Sequence, residues 1–463
     1  MAKLEIYIKK IFYLIVVLTI FSSCDSEIKE NTPNNGNMPI DEIEEITDDT
    51  TANYLSNNSD YIFDQNKLHT FELTLTQEDL DFLDNDPARE EYVDGKLTFE
   101  GEEIAVVGIR YKGSIGGFVN CLSGNNWADP SGYKTCTKLS MKIKINYNDS
   151  DKKFFGLKKL QFHSMNLDPT QMRDRLGYHL FRSAGVAAPR STHCRLLVNG
   201  EYVGVFALVE NIDGRFVKQN FDNDDGNLYK EVWPTDSNGN MTPTSEFINA
   251  LKTNEELANP EIMQEFAQAI VSAPENNLEQ LVEEWMNVDG IIKYAVVDRL
   301  IKNDDGVFHW YCNGNACAPH NYYWYEDNID RKMHLIPWDL DNVFENILSP
   351  NAVTAIADDW GKTTNNCNPF RFGAFQLQQK SAACDKLINA WTLYDTLYQN
   401  YKKEFIEGPF SAQEVNARID AWADQIRDAT IEANELHNDA LSIGKWESEI
   451  QELKDALEFM RSL

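Results

Sequence analysis

The chain has 463 residues, 42% hydrophobic and 11% aromatic, enough for a large core, and this composition excludes an intrinsically disordered protein. A formal net charge of −32 disfavours binding to nucleic acid or anionic lipid through phosphate contacts. It suits a basic protein partner or a cation such as Mg²⁺ or Ca²⁺, and equally an exported protein that excess acid keeps soluble.

The first residues place Lys3, Lys9 and Lys10 ahead of the apolar stretch "IFYLIVVLTIF" and then "SSC", the order of a secretory signal over 1–23 with Cys24 as the first mature residue. A short apolar run followed at once by Ser-Ser-Cys resembles the lipobox of bacterial lipoproteins, in which that cysteine is diacylated. Phe21 departs from the usual aliphatic, and a signal cut without lipidation is the alternative. The stretch falls short of the roughly 20 apolar residues that a membrane span needs. Residues 24–60 are polar and acidic and read as a flexible tether.

Alternation marks the next elements. "HTFELTLT" reads as a strand, "KLTFEGEEIAVVGIRYKG" as a hairpin turning at Glu100–Gly101, and "TKLSMKIKINYN" as a further strand of an antiparallel sheet. "TQMRDRLGYHLFRSAG" follows at helical spacing, with Asp168 and Pro169 before it and Gly185 as its stop. "THCRLLVNGEYVGVFALVENID" is a second hairpin turning at Asn199–Gly200. After Gly226 helices dominate ("TSEFINALKT", "PEIMQEFAQAIVSA", "NLEQLVEEWMNVDGIIKYAVVDRLIK" and the stretch from "KLINAW" to the C-terminus), interrupted by two short strands, "NYYWYED" and "KMHLIPWD". The expected fold is α+β, with a strand-rich part over 61–210 and a helical part over 211–463 that carries the short hairpin.

Eight cysteines are present, and lipidation of Cys24 leaves seven. Local pairs Cys121–Cys136, Cys312–Cys317 and Cys367–Cys384 would leave Cys194 alone, although spacing does not fix connectivity. No CxxC pair or regular Cys/His set points to structural zinc.

Four features carry chemistry. The helical pattern of "VDRLIKNDDGVFHW" runs into Asn303, Asp304, Asp305 and Gly306, either a solvated turn or a catalytic loop. If "HNYYWYED" and "HLIPWDLD" pair as a hairpin, Asn321 and Asp339 come to neighbouring strand ends with Asp305 folded over them, giving one base and two oxygen ligands for a hard cation. The competing reading is that Asp339 and Asp341 simply cap the next turn. Upstream, Gly113, Gly116 and Gly117 form a loop whose N–H groups can face an anion or merely turn the chain. Lys138, Ser140, Lys142 and Lys144 then share one strand face, meeting either a polyphosphate or solvent.

"VGIRYKGS", "KKLQFHSMNLDPTQMRDRLGYHLFRSAGVAAPR", "LLVNGEYVGVFALVENID", "KNDDG…HNYYWYED" and "IPWDLDNVF", in that order, resemble the CotH-type spore coat kinases, an atypical protein kinase-like family. The resemblance runs from about Asp60 to Phe344. It implies a two-lobed fold binding ATP with Mg²⁺ or Mn²⁺ between the lobes. It makes Asp305 the catalytic acid residue, with Asp304 as fallback, and Asn321 and Asp339 the metal ligands. Lys142 is assigned to the α- and β-phosphates, with Lys138 as runner-up. Gly113 belongs to the nucleotide loop, and Glu210 and Asp213 lie where the chain passes between lobes. Two departures stand out: "GVFHWYCNGNACAPH" separates Asp305 from Asn321, and "FVNCLSGNNWADPSGYKTC" interrupts the glycine loop.

The function expected is phosphotransfer to Ser or Thr of an envelope or surface protein by a lipid-anchored enzyme. The alternative is a kinase-like scaffold that binds partners without catalysis.

Overall fold

A computed structural model describes residues 58–113, 116–118, 120–124, 126, 129–344, 361–372 and 376–462. The signal, Cys24 and nearly all of the tether lie outside the described residues. The fold is mixed α+β.

Seven strands, β1 (His69–Thr74), β2 (Val93–Phe99), β3 (Glu102–Tyr111), β4 (Met141–Lys144), β5 (Lys159–His163), β6 (Ser191–Val198) and β7 (Glu201–Val209), close into a barrel in the order β1-β2-β3-β4-β5-β7-β6. The two expected hairpins are β2–β3 and β6–β7. Each turns through paired left-handed residues, Glu100 (φ 50°) with Gly101 (φ 85°) and Asn199 (φ 51°) with Gly200 (φ 83°), whose twist suits a tight hairpin. The sheet differs from the expected antiparallel one at its seam, where β1 pairs parallel to β6 and places Phe71 beside Leu196. Closure removes both edges, which would otherwise expose unpaired backbone groups. Alternate residues of the strands fill the interior: Phe71, Leu97, Ile109, Ile143, Phe162 and Leu208 are each at most 1% exposed.

Helix Arg173–Ser183 interrupts the barrel sequence between β5 and β6, yet Met172, Leu176, Tyr178, Leu180 and Phe181 pack into the larger hydrophobic core of the helical part. It therefore joins the two cores. It starts five residues after Asp168, whose carboxylate accepts from the backbone N–H of Thr170 and Arg173, and Gly185 (φ 81°) follows its end.

The remaining strands are β8 (Leu228–Lys230), β9 (Trp310–Asn313), β10 (Ala316–Ala318), β11 (Tyr322–Asp327), β12 (Lys332–Pro337), β13 (Phe370–Phe372) and β14 (Leu377–Lys380). The expected hairpin is β11–β12, extended by β8 into a three-stranded sheet. A separate sheet, β10-β9-β14-β13, was not foreseen; its β9–β10 hairpin is the segment inserted before Asn321. The expected long helix over 277–302 is two, Leu278–Trp285 and Val288–Leu300, because the backbone turns extended at Met286 and Asn287 caps the next helix by accepting from the N–H of Gly290. Helix Ala412–Leu436 returns to the barrel, where Tyr202 Oη donates to the carbonyl of Ala429 at 2.9 Å. Disulfides join Cys121–Cys136, Cys312–Cys317 and Cys367–Cys384, and Cys194 is a buried free thiol. Among the described residues no helix is long and apolar enough to cross a membrane.

Candidate active site

The open end of the β11–β12 hairpin faces the barrel across a cleft. Register alone brings Asn321 and Asp339 together there: Tyr322 lies opposite Pro337, and the Trp338 N–H donates to the Asn321 carbonyl at 3.1 Å. The third acid arrives on the loop after helix Val288–Leu300. That loop is pinned by buried Asp298, which pairs with Arg299 at 2.5 Å and accepts from Asn303 Nδ2 at 2.9 Å. Gly306 is required, since a Cβ there would stand 2.3 Å from Asn303 Nδ2 and 2.8 Å from Asp298 Oδ2. The Phe344 N–H donates to the Ile301 carbonyl, so the segment after Asp339 is tied to the same helix exit.

Asn321 Nδ2 donates to Asp305 Oδ2 at 2.9 Å, so the fifteen-residue insertion leaves both groups in contact by folding away as β9–β10. Of the two adjacent acids it is Asp305 that lines the cleft. Asp304 is fully buried, its carbonyl accepting from Tyr311 Oη and from His309 Nδ1. The Asp339 backbone N–H donates to Tyr178 Oη at 3.0 Å, and among the described residues its carboxylate makes no cap to the following turn. Glu231 (φ 50°), Asn321 (φ 58°) and Asp339 (φ 52°) all hold left-handed backbone, a conformation that costs non-glycine residues on the order of 1 kcal/mol each and gathers at functional sites.

Electrostatics mark the cluster further. Burial, then Asp339 and Glu231, push the Asp305 carboxyl up to about 8. Burial also raises Asp339, against the pull of His163 and Lys112, and raises Asp341 well above the carboxylate range with Asp339, Asp174 and Asp305 adding to it. Carboxyls that repel one another in this way fit a cation. Asp305 Oδ1 is buried without a hydrogen-bond partner among the described residues, and the donors are all oxygen, as a hard cation requires. Among the described residues no three Asp, Glu, His or Cys side chains form a ready-made cage, so Asn321 and Asp339 would leave positions for water and phosphate, the habit of Mg²⁺.

The lysines separate. Lys142 sits on β4 opposite Arg110 on β3 and Gln161 on β5, on the row of the barrel wall that lines the cleft. Lys138 precedes β4, and its Nζ is held by the Val205 carbonyl at 2.6 Å, with burial lowering it to about 8. A third lysine went unforeseen: Lys112, directly after β3, feels Asp339 as its strongest opposing charge while burial lowers its pKa. Its Nζ bonds His163 Nε2 at 2.8 Å and Gln161 Oε1 at 3.2 Å. Alternation along "GIRYK" held the signal, because buried Ile109 and Tyr111 force Arg110 and Lys112 onto the other face. Gly113 gives its N–H to Glu90 Oε1 at 2.8 Å, and Glu90 also pairs with Arg110 at 2.5 Å. Glu210 is not gathered with these groups; its carboxylate is buried against Arg190 at 2.5 Å. Asp213 caps helix Gly214–Asn220 by accepting from the N–H of Arg215 and Phe216.

Comparison with known proteins places these residues in context. The model of the CotH kinase protein family matches residues 109–462. That span starts later than the resemblance read from the motifs and continues past Phe344 to the C-terminal helix. Inner spore coat protein H of Bacillus subtilis (strain 168) is 23% identical over 199 residues, 41% of this chain and 51% of that protein. The chain thus spans about half the length of that curated relative. A Shewanella oneidensis MR-1 toxin–antitoxin complex of HipA, HipB and operator DNA aligns at 13% identity with a TM-score of 0.26, covering 70% of this chain and 63% of that one.

Proposed function

The chain belongs to the CotH kinase protein family, and from that premise we propose that it is an atypical protein kinase transferring the γ-phosphoryl group of ATP to Ser or Thr of an envelope or surface protein. Kinase chemistry calls for ATP and a divalent metal, here Mg²⁺ or Mn²⁺. In this reading the barrel and the helical part are the two lobes, with the nucleotide between them. The observation that carries it is the contact of Asp305 with Asn321 beside Asp339, across the cleft from Lys112.

The roles follow from chemistry. Asn321 and Asp339 would hold the cation, which when bound neutralises charge on the phosphate oxygens. Asp305 receives the proton of the attacking hydroxyl as its oxygen bonds phosphorus and the bond to the β-phosphate oxygen breaks. A cation held by Asn321 and Asp339 would lower its raised pKa and leave it a competent base. Asp304 remains the fallback. Lys142 and Lys112 both face the phosphates, ahead of Lys138, and Gly113 we assign to the nucleotide side. Glu210 we assign to holding the join between the lobes through Arg190.

We place the protein in the bacterial envelope, lipid-anchored through Cys24, with an envelope protein as partner and no nucleic acid. The three disulfides accord with an oxidising compartment. The scaffold alternative loses weight because the β9–β10 insertion leaves Asp305 and Asn321 in hydrogen bond. The test is phosphotransfer from ATP with Mg²⁺, read by mass spectrometry on the chain and on co-purified proteins. Asp305→Asn should abolish transfer while nucleotide still binds; unchanged transfer would remove Asp305 from the role.

A further inference from the structure

We propose that His163 is a positioning residue that aims Lys112 at the nucleotide phosphates, through a Lys112–His163–Asp174 chain standing where a direct lysine–carboxylate pair serves in familiar kinases; the proposal rests on the kinase reading above.

The barrel register assembles the chain. Arg110 on β3 lies opposite Lys142, and Lys142 opposite Gln161; two residues further along the same face, the Lys112 N–H donates to the Ser140 carbonyl at 2.8 Å. The Ser164 N–H in turn donates to Ser140 Oγ at 2.9 Å, fixing the end of β5 that carries His163. Lys112 Nζ then meets His163 Nε2 at 2.8 Å, and His163 Nδ1 meets Asp174 Oδ2 at 2.9 Å. Asp174 stands in the first turn of helix Arg173–Ser183, where the helix dipole favours its charge.

Proton accounting fixes the roles. An ammonium has three N–H donors and no lone pair, so Nε2 must accept. The imidazole proton therefore sits on Nδ1 and is donated to Asp174. Accepting through Nε2, the ring orients Lys112 and brings no negative charge into direct contact with it, as a carboxylate would. Gln161 Oε1 takes a second N–H at 3.2 Å, and the third is left for an oxyanion. The Trp338 face, 5.4 Å from Nζ, closes another side and belongs to the segment that carries Asp339. Lysine, tryptophan and proposed metal ligand are thereby held as one unit across the cleft.

The full-length chain should be titrated calorimetrically with ATP in Mg²⁺ and, separately, with adenosine. His163→Phe keeps the ring volume and loses the acceptor. We expect ATP affinity to fall about tenfold or more, the scale of one lost hydrogen bond to a charged group, with adenosine affinity unchanged. His163→Gln, which restores an acceptor near Nε2, should recover most of the loss. Lys112→Met combined with His163→Phe should be no weaker than Lys112→Met alone. Equal losses for ATP and adenosine, or additive losses in the double variant, would overturn the proposal. Wild-type chain that binds neither ligand removes the kinase reading and this inference together; wild-type binding with an unaffected His163→Phe removes this inference alone. Should the Phe variant fail to fold, ¹⁵N-histidine NMR of the wild type decides: a proton on Nδ1 of His163 is expected, and a proton on Nε2 refutes.

Discussion

Gly177→Ala perturbs the active site from behind. Gly177 lies within helix Arg173–Ser183, directly beneath the turn that follows Asp339. A Cβ there would stand 3.0 Å from Leu340 Cδ1, 3.2 Å from Leu340 Cβ and 3.5 Å from Val343 Cγ2. Helix propensity favours Ala by about 1 kcal/mol, whereas forcing a close-packed contact apart costs about 1–3 kcal/mol. The two effects nearly offset, so the unfolding free energy should fall by no more than about 2 kcal/mol. The relief must come from Leu340 moving by tenths of an ångström, since it is fully buried, and Leu340 is bonded to Asp339. Metal-dependent ATP binding should therefore weaken several-fold in a variant that still folds. Thermal unfolding and calorimetry on the same preparations separate the two effects. A variant stabilised by the full propensity gain, with wild-type ATP affinity, would refute the mechanical link between this helix and Asp339.

Two further outcomes follow from buried charge. Glu326, 3% exposed, accepts from Tyr229 Oη at 2.8 Å and Asn227 Nδ2 at 2.5 Å, and burial raises it to about 7. A carboxyl raised by folding binds more proton in the native state, so its contribution is present below the unfolded value near 4.5 and is lost as pH climbs to about 7, an amount on the order of 3 kcal/mol. The urea midpoint should thus fall more between pH 5 and 7.5 in wild type than in Glu326→Gln, and equal slopes would contradict this. Arg190→Met strands the Glu210 carboxylate, 2% exposed, and should cost about 3–5 kcal/mol in equilibrium unfolding. Adding Glu210→Leu should recover most of that loss; an additive second loss would show that the pair is not the cause.

The sequence disclosed what is local. Asn199–Gly200 and Glu100–Gly101 announce hairpins because left-handed turns have a narrow choice of residues. Pairing "NYYWYED" and "KMHLIPWD" as two short strands of a hairpin sufficed to set Asn321 beside Asp339. What stayed hidden depends on distant pairing: the parallel β1–β6 seam has no signature in either strand, and β13 and β14 are too short to register as a period. The Lys112–His163 contact spans 51 residues and exists only through barrel register, which is why "RYKGS" reads first as a glycine loop. Adjacent acids such as Asp304 and Asp305 cannot be told apart by type; the backbone turns one into the core and the other into the cleft.

The central claim is that Asp339 and Asn321 hold a cation on which nucleotide binding depends. Calorimetric titration of ATP into the full-length chain, with Mg²⁺, with Mn²⁺ and with chelator, and repeated on Asp339→Ala, tests it most directly. Binding that needs the metal and disappears in Asp339→Ala is the predicted result; metal-independent binding, or binding that survives the substitution, would contradict it.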